Sequence, residues 1–439
     1  MPCRKPNLSR KHFPGLTLKD LNILTRHKIL TYVGSFLGIE IFLAPVLTIF
    51  FMKYEGLSFK DYASYEAVVF LLSAFLQVPL GAVADSYGRK KFLVIAKSIY
   101  LAGMVLLVIA PSKTVIWLSA LLFSIGTALG TGNQEAIVYE VFKKENALSE
   151  FQHLLEKSSA IRLFSGAVAC ILGAWIATYN LALPMAIDSA FLFICILFTV
   201  ALLADDNKMQ LFDHVNFKGL RKGWEVFSQG AKTLMKDPKI TLLFLAFACA
   251  SAIIRGTFIT YQPLLLDYKV SLGNLGIIFA ALGFISAFFS YLPSKIEKKH
   301  KTLVKYGAAL IGVALTSALV CGLSTTYIGI LFALALQQVF RGLYGPFYDF
   351  QTNDHIRPGH PSRTTLLSVS SFLSMILCSV SFLLIGRLTQ HYSQSTAFVL
   401  NSTIFAFSMG LFLICYIALD RFSRTQKERS PSALPESES

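Results

Sequence analysis

Apolar runs of about 20 residues, each long enough to cross roughly 30 Å of hydrocarbon, recur along this chain between short polar turns. They fall at 29–52, 62–84, 92–110, 115–138, 160–178, 182–204, 240–264, 273–293, 303–322, 327–348, 365–386 and 396–418. Only 15% of the 439 residues are charged and 54% are hydrophobic, whereas roughly a quarter of an ordinary soluble domain is charged. A water-soluble fold of this length cannot cover so much apolar surface. Hydrocarbon offers no partners for backbone N–H and C=O groups, so each run must close its hydrogen bonds internally as a helix. The expectation is an all-α integral membrane protein with twelve transmembrane helices.

The net charge of +15 reads as a topology signal, and nucleic acid is not an expected partner. Basic residues crowd the N-terminal arm (Arg4, Lys5, Arg10, Lys11, Lys19, Arg26, Lys28), the central loop (Lys208, Lys218, Arg221, Lys222, Lys232, Lys236, Lys239), the turn Lys295–Lys301 and the tail from Arg421 to Arg429. The alternate loops offer only Lys53, Lys60, Lys113, Lys269 and Arg387. Cations concentrate on the cytoplasmic side of a bilayer, so both termini are expected there, with some attraction to anionic lipid. The chain divides into a cytoplasmic arm (1–28), a first six-helix bundle (29–204), a cytoplasmic central loop (205–239), a second six-helix bundle (240–418) and a disordered tail (419–439). Within the central loop, Val215 to Met235 reads as an amphipathic surface helix with Phe217, Leu220, Trp224, Phe227 and Leu234 on its apolar side. Six of the seven cysteines lie inside predicted spans without metal-ligand spacing, so neither a metal nor a disulfide is expected.

One turn is more specific than the rest. Gly81-Ala-Val-Ala-Asp85-Ser-Tyr-Gly88-Arg89-Lys90-Lys91 sits between the second and third runs. Gly88 can supply a positive φ for the reversal, and its three cations hold it at the cytoplasmic surface. The pattern G-x-x-x-D-x-x-G-R-K-K resembles the loop signature between helices 2 and 3 of the major facilitator superfamily of secondary transporters. Tyr54-Glu-Gly-Leu-Ser58, Gln77-Val-Pro79-Leu-Gly81, Arg341-Gly-Leu-Tyr344 and Ser362-Arg-Thr-Thr-Leu-Leu-Ser368 resemble bacterial members of that family. The resemblance implies two pseudo-symmetric six-helix bundles with the substrate site between them, acting as a monomer in a bacterial inner membrane. It also implies a latch, in which Asp85 approaches the start of helix 11 and Arg89 meets Glu140 at the end of helix 4, with Gly81, Gly88 and Lys90 shaping the turn. A carboxylate is favoured at a helix N-terminus, and an Arg–carboxylate pair can be bidentate.

Charges inside the apolar runs are the candidate substrate or proton residues, because a lone charge there costs on the order of 2.5–3.5 kcal/mol. Glu40 lies near the middle of run one and Arg255 at similar depth in run seven. They either face one central cavity, with Glu40 binding a proton or the substrate, or form a fixed structural ion pair. Gln134 and Glu135 in run four, with Arg162 in run five, form a further cluster, and neutralisation of Glu135 by Arg162 is its plain reading. Gln338 and Arg341 in run ten, and Tyr261 and Gln262 beside Pro263, are expected to line the cavity. Pro45, Pro79, Pro184 and Pro263 suggest kinks. Asp188 and Glu66 read as residues near outer helix ends.

No phosphate-binding G-x-x-x-x-G-K-[ST], zinc-protease H-E-x-x-H or G-x-S-x-G turn occurs. An enzyme and a bound cofactor are therefore not expected. The reading is alternating-access transport of a small organic molecule, with protons as coupling ion and efflux as direction. Uptake of a nutrient or metabolite is the alternative, and a non-transporting receptor or scaffold the alternative of another class. Exporters of this superfamily often carry an arginine in helix 4 and a Gly-Pro-rich stretch in helix 5. Here Gly130-Thr-Gly-Asn-Gln-Glu135 lacks the arginine and Ser165 to Gly173 lacks the proline.

Overall fold

The computed structural model describes residues 22–38, 40–87, 89–109, 112–130, 133–203, 225, 228, 232, 234, 236–295, 303–355 and 363–429. At 82–87, 89, 133, 135–136, 203, 292–295, 353–354, 363–365 and 423–429, the backbone alone is described. The helices are α1 (Ile23–Leu37), α2 (Ala44–Tyr54), α3 (Phe59–Tyr87), α4 (Arg89–Ile109), α5 (Lys113–Gly130), α6 (Asn133–Lys144), α7 (Leu148–Ala177) and α8 (Leu183–Leu203). The second half holds α9 (Pro238–Phe258), α10 (Tyr261–Asp267), α11 (Leu272–Lys295), α12 (Leu303–Leu323), α13 (Tyr327–His355), α14 (Arg363–Leu388) and α15 (Gln394–Arg429). Among the described residues, eleven helices are long and apolar enough to cross a membrane. The twelfth span is made in two pieces by α1 and α2.

The two halves repeat one another in their packing. In the first half α1 packs on α7 and α8, α4 on α8, and α5 on α3 and α4. In the second half α9 packs on α14 and α15, α12 on α15, and α13 on α11 and α12. Each pair maps onto its counterpart by advancing six spans. The contacts between halves obey the same rule, since α3 against α14 and α7 against α11 exchange under it. This is the architecture of twin bundles related by an axis along the membrane normal.

The first span of each half is divided, sharply in the first half and only slightly in the second. α1 ends at Gly38, which adopts φ +51° and donates its N–H to Gly34. Glu40 follows with φ +55°, a conformation that L side chains rarely take. The restart at α2 needs partners for its first N–H groups. Asp188 of α8 supplies them, accepting from Phe42 N at 3.2 Å and Leu43 N at 2.9 Å. In the second half, α9 starts at a capping Asp237 followed by Pro238, and the chain resumes as α10 after Ile259 and Thr260. The expected kinks resolve differently. Pro45, Pro184 and Pro263 all lie in the first turns of helical segments, where a missing N–H costs nothing, and Pro79 sits inside a continuous α3.

Several boundaries differ from the sequence reading. α1 begins at Ile23, inside the segment read as an arm, and α7 begins at Leu148, twelve residues before the apolar run from 160. Its amphipathic first turns carry Glu150, which pairs with Lys28 at 2.7 Å. α15 continues to Arg429, through the first part of the segment read as a disordered tail. Its Asp420 pairs with Lys239 at 2.9 Å. Of the proposed surface helix, Phe217, Leu220, Trp224 and Phe227 lie outside the described residues, while Leu234 is buried in the second-half core.

Glu55 joins α2 to α3. Both its carboxylate oxygens are buried without a hydrogen-bond partner, and burial pushes this group up to about 7 from an ordinary 4.5. A carboxyl that holds its proton more tightly folded than unfolded costs nothing below the ordinary value. It destabilises increasingly as pH rises towards 7. Glu55→Gln is therefore expected to raise the thermal midpoint by about 2–5 °C at pH 8 and leave it unchanged at pH 4.5, read by scanning fluorimetry in detergent.

Candidate substrate cavity

One face of α3 builds most of a wall between the halves. Tyr62, Tyr65, Glu66, Val69, Phe70 and Ser73 recur at helical spacing, and all line a cavity of about 440 Å³. Glu40 at the α1–α2 break, Leu47 and Phe51 of α2, Tyr100 of α4, Phe123 and Thr127 of α5, and Met185 of α8 complete the first-half side. Arg255 and Phe258 of α9, Ile259 just beyond it, and Met375 and Phe382 of α14 form the second-half side. The volume falls in the range of small-molecule sites, which are mostly apolar with a few polar groups.

Glu40 of the first half and Arg255 of the second both line this space, within electrostatic range of one another. Tyr100 donates its hydroxyl to Glu40 Oε1 at 2.8 Å, fixing the carboxylate where the break presents it. Arg255 lies over the Phe70 ring, 5.7 Å from its centroid, a cation–π arrangement. Among the described residues no ion pair joins Arg255 to Glu40 or Glu66. Charges of opposite sign therefore share the space without closing into a pair.

Gln134, Tyr261, Gln262, Gln338 and Arg341 are not among the residues lining this cavity. Gln262 is fully buried. Its Oε1 accepts from Thr48 N at 2.8 Å and Ile49 N at 3.2 Å, and its Nε2 donates to Ala44 O at 2.9 Å. An amide carries both donor and acceptor, so it can splice α10 onto the backbone of α2. Tyr261 is likewise in the core and accepts from Gln338 Nε2 at 3.2 Å. Arg341 is exposed on α13, one turn beyond Gln338, within electrostatic range of Arg255 and Tyr261. Gln134 accepts from Lys97 Nζ at 3.2 Å and packs on Gly34 of α1. The Glu135 side chain lies outside the described residues, so its pairing with the exposed Arg162 does too.

The loop signature is only partly described. Gly88 and the side chains of Asp85 and Arg89 lie outside the described residues. Gly81 has open space where a Cβ would stand, Lys90 is half-buried at the start of α4, and Glu140 is exposed on α6.

Three acids and bases escape a reading of the sequence alone. Glu66 lies on the cavity wall, and the Tyr62–Tyr65–Glu66–Val69–Phe70–Ser73 stripe is its available signal. Lys97 is buried within a run that reads as uniformly apolar, donating to Gln134, Thr199 Oγ1 at 3.1 Å and Cys195 Sγ at 3.4 Å. Asp188 is 1% exposed and holds the break that carries Glu40. Asp188→Ala strands two N–H groups, each worth about 1.5–3 kcal/mol when bonded to a charge. A loss of about 2–4 kcal/mol in stability is expected, with Asp188→Asn recovering part of it by thermal unfolding in detergent.

Among the described residues, the hydrogen bonds between the halves lie on one face of the cavity, while Phe75 of α3 meets Phe372 of α14 edge-on at 5.4 Å on its other side. Besides the Gln262 bonds, Thr48 Oγ1 donates to Ile259 O at 3.1 Å and Ser379 Oγ to Ala67 O at 2.8 Å. Phe70 meets Phe382 edge-on at 5.2 Å. A Cβ on Gly276 of α11 would stand 2.5 Å from Cys170 O of α7, so that crossing requires glycine. Phe75–Phe372 aside, these contacts lie towards the face of residues 53–58. On the opposite face, among the described residues, the ion pairs Lys28–Glu150 and Lys239–Asp420 each stay within one half.

Comparison with known proteins places the chain. The family model of the Major Facilitator Superfamily matches residues 29–365, and the chain belongs to that family. Residues covering 36% of the chain are 27% identical to the Multidrug resistance protein MdtH of Salmonella choleraesuis (strain SC-B67), over 41% of that protein. The match thus spans about two fifths of the curated relative's length. Among solved structures, the nucleoside transporter NupG superposes with a TM-score of 0.67 at 14% identity, covering 91% of this chain and 99% of that one. The human organic anion transporter MFSD10 (TETRAN) gives 0.61 at 14% identity, covering 89% and 100%. At these identities the likeness concerns the fold.

Proposed function

We propose that this chain is a proton-coupled secondary transporter that exports a small organic solute by alternating access. The observation that carries the reading is the cavity between the halves, walled by unpaired charges of opposite sign and closed on one face by inter-half hydrogen bonds. A passive scaffold has no use for such charges in a membrane. Glu40, held by Tyr100 at a helix break, is the proton-exchanging carboxyl. The basic loops favour a cytoplasmic location for both termini, which would make the face carrying the inter-half hydrogen bonds the outer one.

Export is supported by the partial likeness to a multidrug resistance protein. Uptake is the second reading, favoured by the missing arginine in Gly130–Glu135 and the missing proline in Ser165–Gly173. Counterflow of a labelled compound panel in proteoliposomes, with a pH gradient of either sign, tests both coupling and direction. On the latch implied by the loop signature, Asp85→Asn is expected to cut the transport rate about tenfold (about 1.4 kcal/mol) at unchanged membrane abundance. Wild-type flux in that variant would remove the latch from the mechanism.

A further inference from the structure

We propose that the cavity takes a zwitterion with an aromatic body, its ammonium against Glu66 and its anionic group against Arg255. This rests on the reading of the cavity as the substrate site. The acids stand on the first half and the guanidinium on the second, and no ion pair closes the space between them among the described residues. A structural pair would have closed it, because separated charges in a low-dielectric site gain most from direct contact. Arg255 rests on Phe70 at 5.7 Å, and no hydrogen bond occupies its N–H groups among the described residues. A guanidinium so placed can offer two parallel N–H groups to a carboxylate or phosphate.

Charge counting selects between solute classes. The cavity carries two carboxylates and one guanidinium. With Glu40 holding the exchanged proton, one negative and one positive wall group remain. A purely cationic solute would satisfy Glu66 and leave Arg255 facing added positive charge. A purely anionic one would do the reverse. A zwitterion satisfies both, and its apolar body fits the eight aromatic rings among the eighteen residues of the wall.

The test uses the full chain in lipid nanodiscs and four forms of one body. These are phenylalanylphenylalanine, its C-terminal amide (ammonium only), its N-acetyl form (carboxylate only) and the doubly blocked peptide. Calorimetric titration at pH 7 is expected to give the zwitterion a Kd at least about tenfold below either singly charged form. Arg255→Gln should raise the zwitterion's Kd to that of the amide without changing the amide's own. Glu66→Gln should level the zwitterion with the N-acetyl form. Equal or tighter binding of the amide by the unmodified chain overturns the proposal, as does binding of none of the four. The unmodified chain alone decides, so a variant that fails to fold does not protect it. Flux is read separately in proteoliposomes. Zwitterion binding without flux would overturn the transport reading and leave the charge assignment standing. Flux of an amide that binds equally well would do the opposite.

Discussion

Glu40→Gln is expected to abolish solute accumulation driven by a pH gradient while leaving solute exchange intact. A gradient of one pH unit supplies about 1.4 kcal/mol per proton and sustains roughly tenfold accumulation in a one-for-one exchange. The glutamine keeps the shape and can still accept from Tyr100, which donates to Glu40 Oε1 at 2.8 Å in the parent chain, but it carries no exchangeable proton. Accumulation should therefore collapse to equilibration, with counterflow retained. A pH-sensitive dye trapped in proteoliposomes reports the proton side directly: substrate addition should move protons with the parent chain and none with the variant. Persistent gradient-driven accumulation in Glu40→Gln would assign coupling to another group.

Gln262→Ala is the second large effect. The substitution removes the acceptor of Thr48 and Ile49 N–H and the donor to Ala44 O in one step. Each buried group left unsatisfied costs about 1–3 kcal/mol, and the cost falls on the conformation closed at this face. The open population there should rise by on the order of tenfold or more. In a cysteine-free background, Val69→Cys places a thiol on the cavity wall. A membrane-impermeant maleimide added at the face of residues 53–58 should label it slowly with Gln262 present and much faster with Gln262→Ala. Equal labelling rates would show that these bonds do not hold the seal.

Much of the fold is written in periodicity and in local stereochemistry. Asp237-Pro238 announces the start of α9, because the carboxylate accepts from the N–H groups of Lys239 and Ile240 while the proline has no N–H to leave unpaired. The apolar runs mark the twelve crossings, since length and hydrophobicity alone decide whether a helix spans. What stays hidden depends on neighbours. Nothing in the first run marks a break at Glu40, whose partner Asp188 lies 146 residues from Phe42 in sequence. Gln262 stands out as a polar residue at membrane depth, yet its role as a splice rather than a cavity contact follows from which backbone crosses it. Lys97 escapes notice because one cation in an apolar run leaves the average hydropathy high. Glu66 reads as a helix-end residue by distance alone, although its place in a stripe of six cavity residues is legible.

A pair of distances, measured by electron–electron spin resonance on the reconstituted chain, tests alternation of the two halves most directly. One label pair, on the exposed Lys113 and Gln390, spans the halves on the closed face, and another, on the exposed Lys144 and Lys305, spans them on the opposite face. Moving from pH 8 to pH 5 should shift the two distance distributions in opposite senses, one lengthening as the other shortens. If both distributions stay fixed, or if both widen together, the halves do not alternate about the Glu40–Arg255 cavity and the chain is not a carrier of this kind.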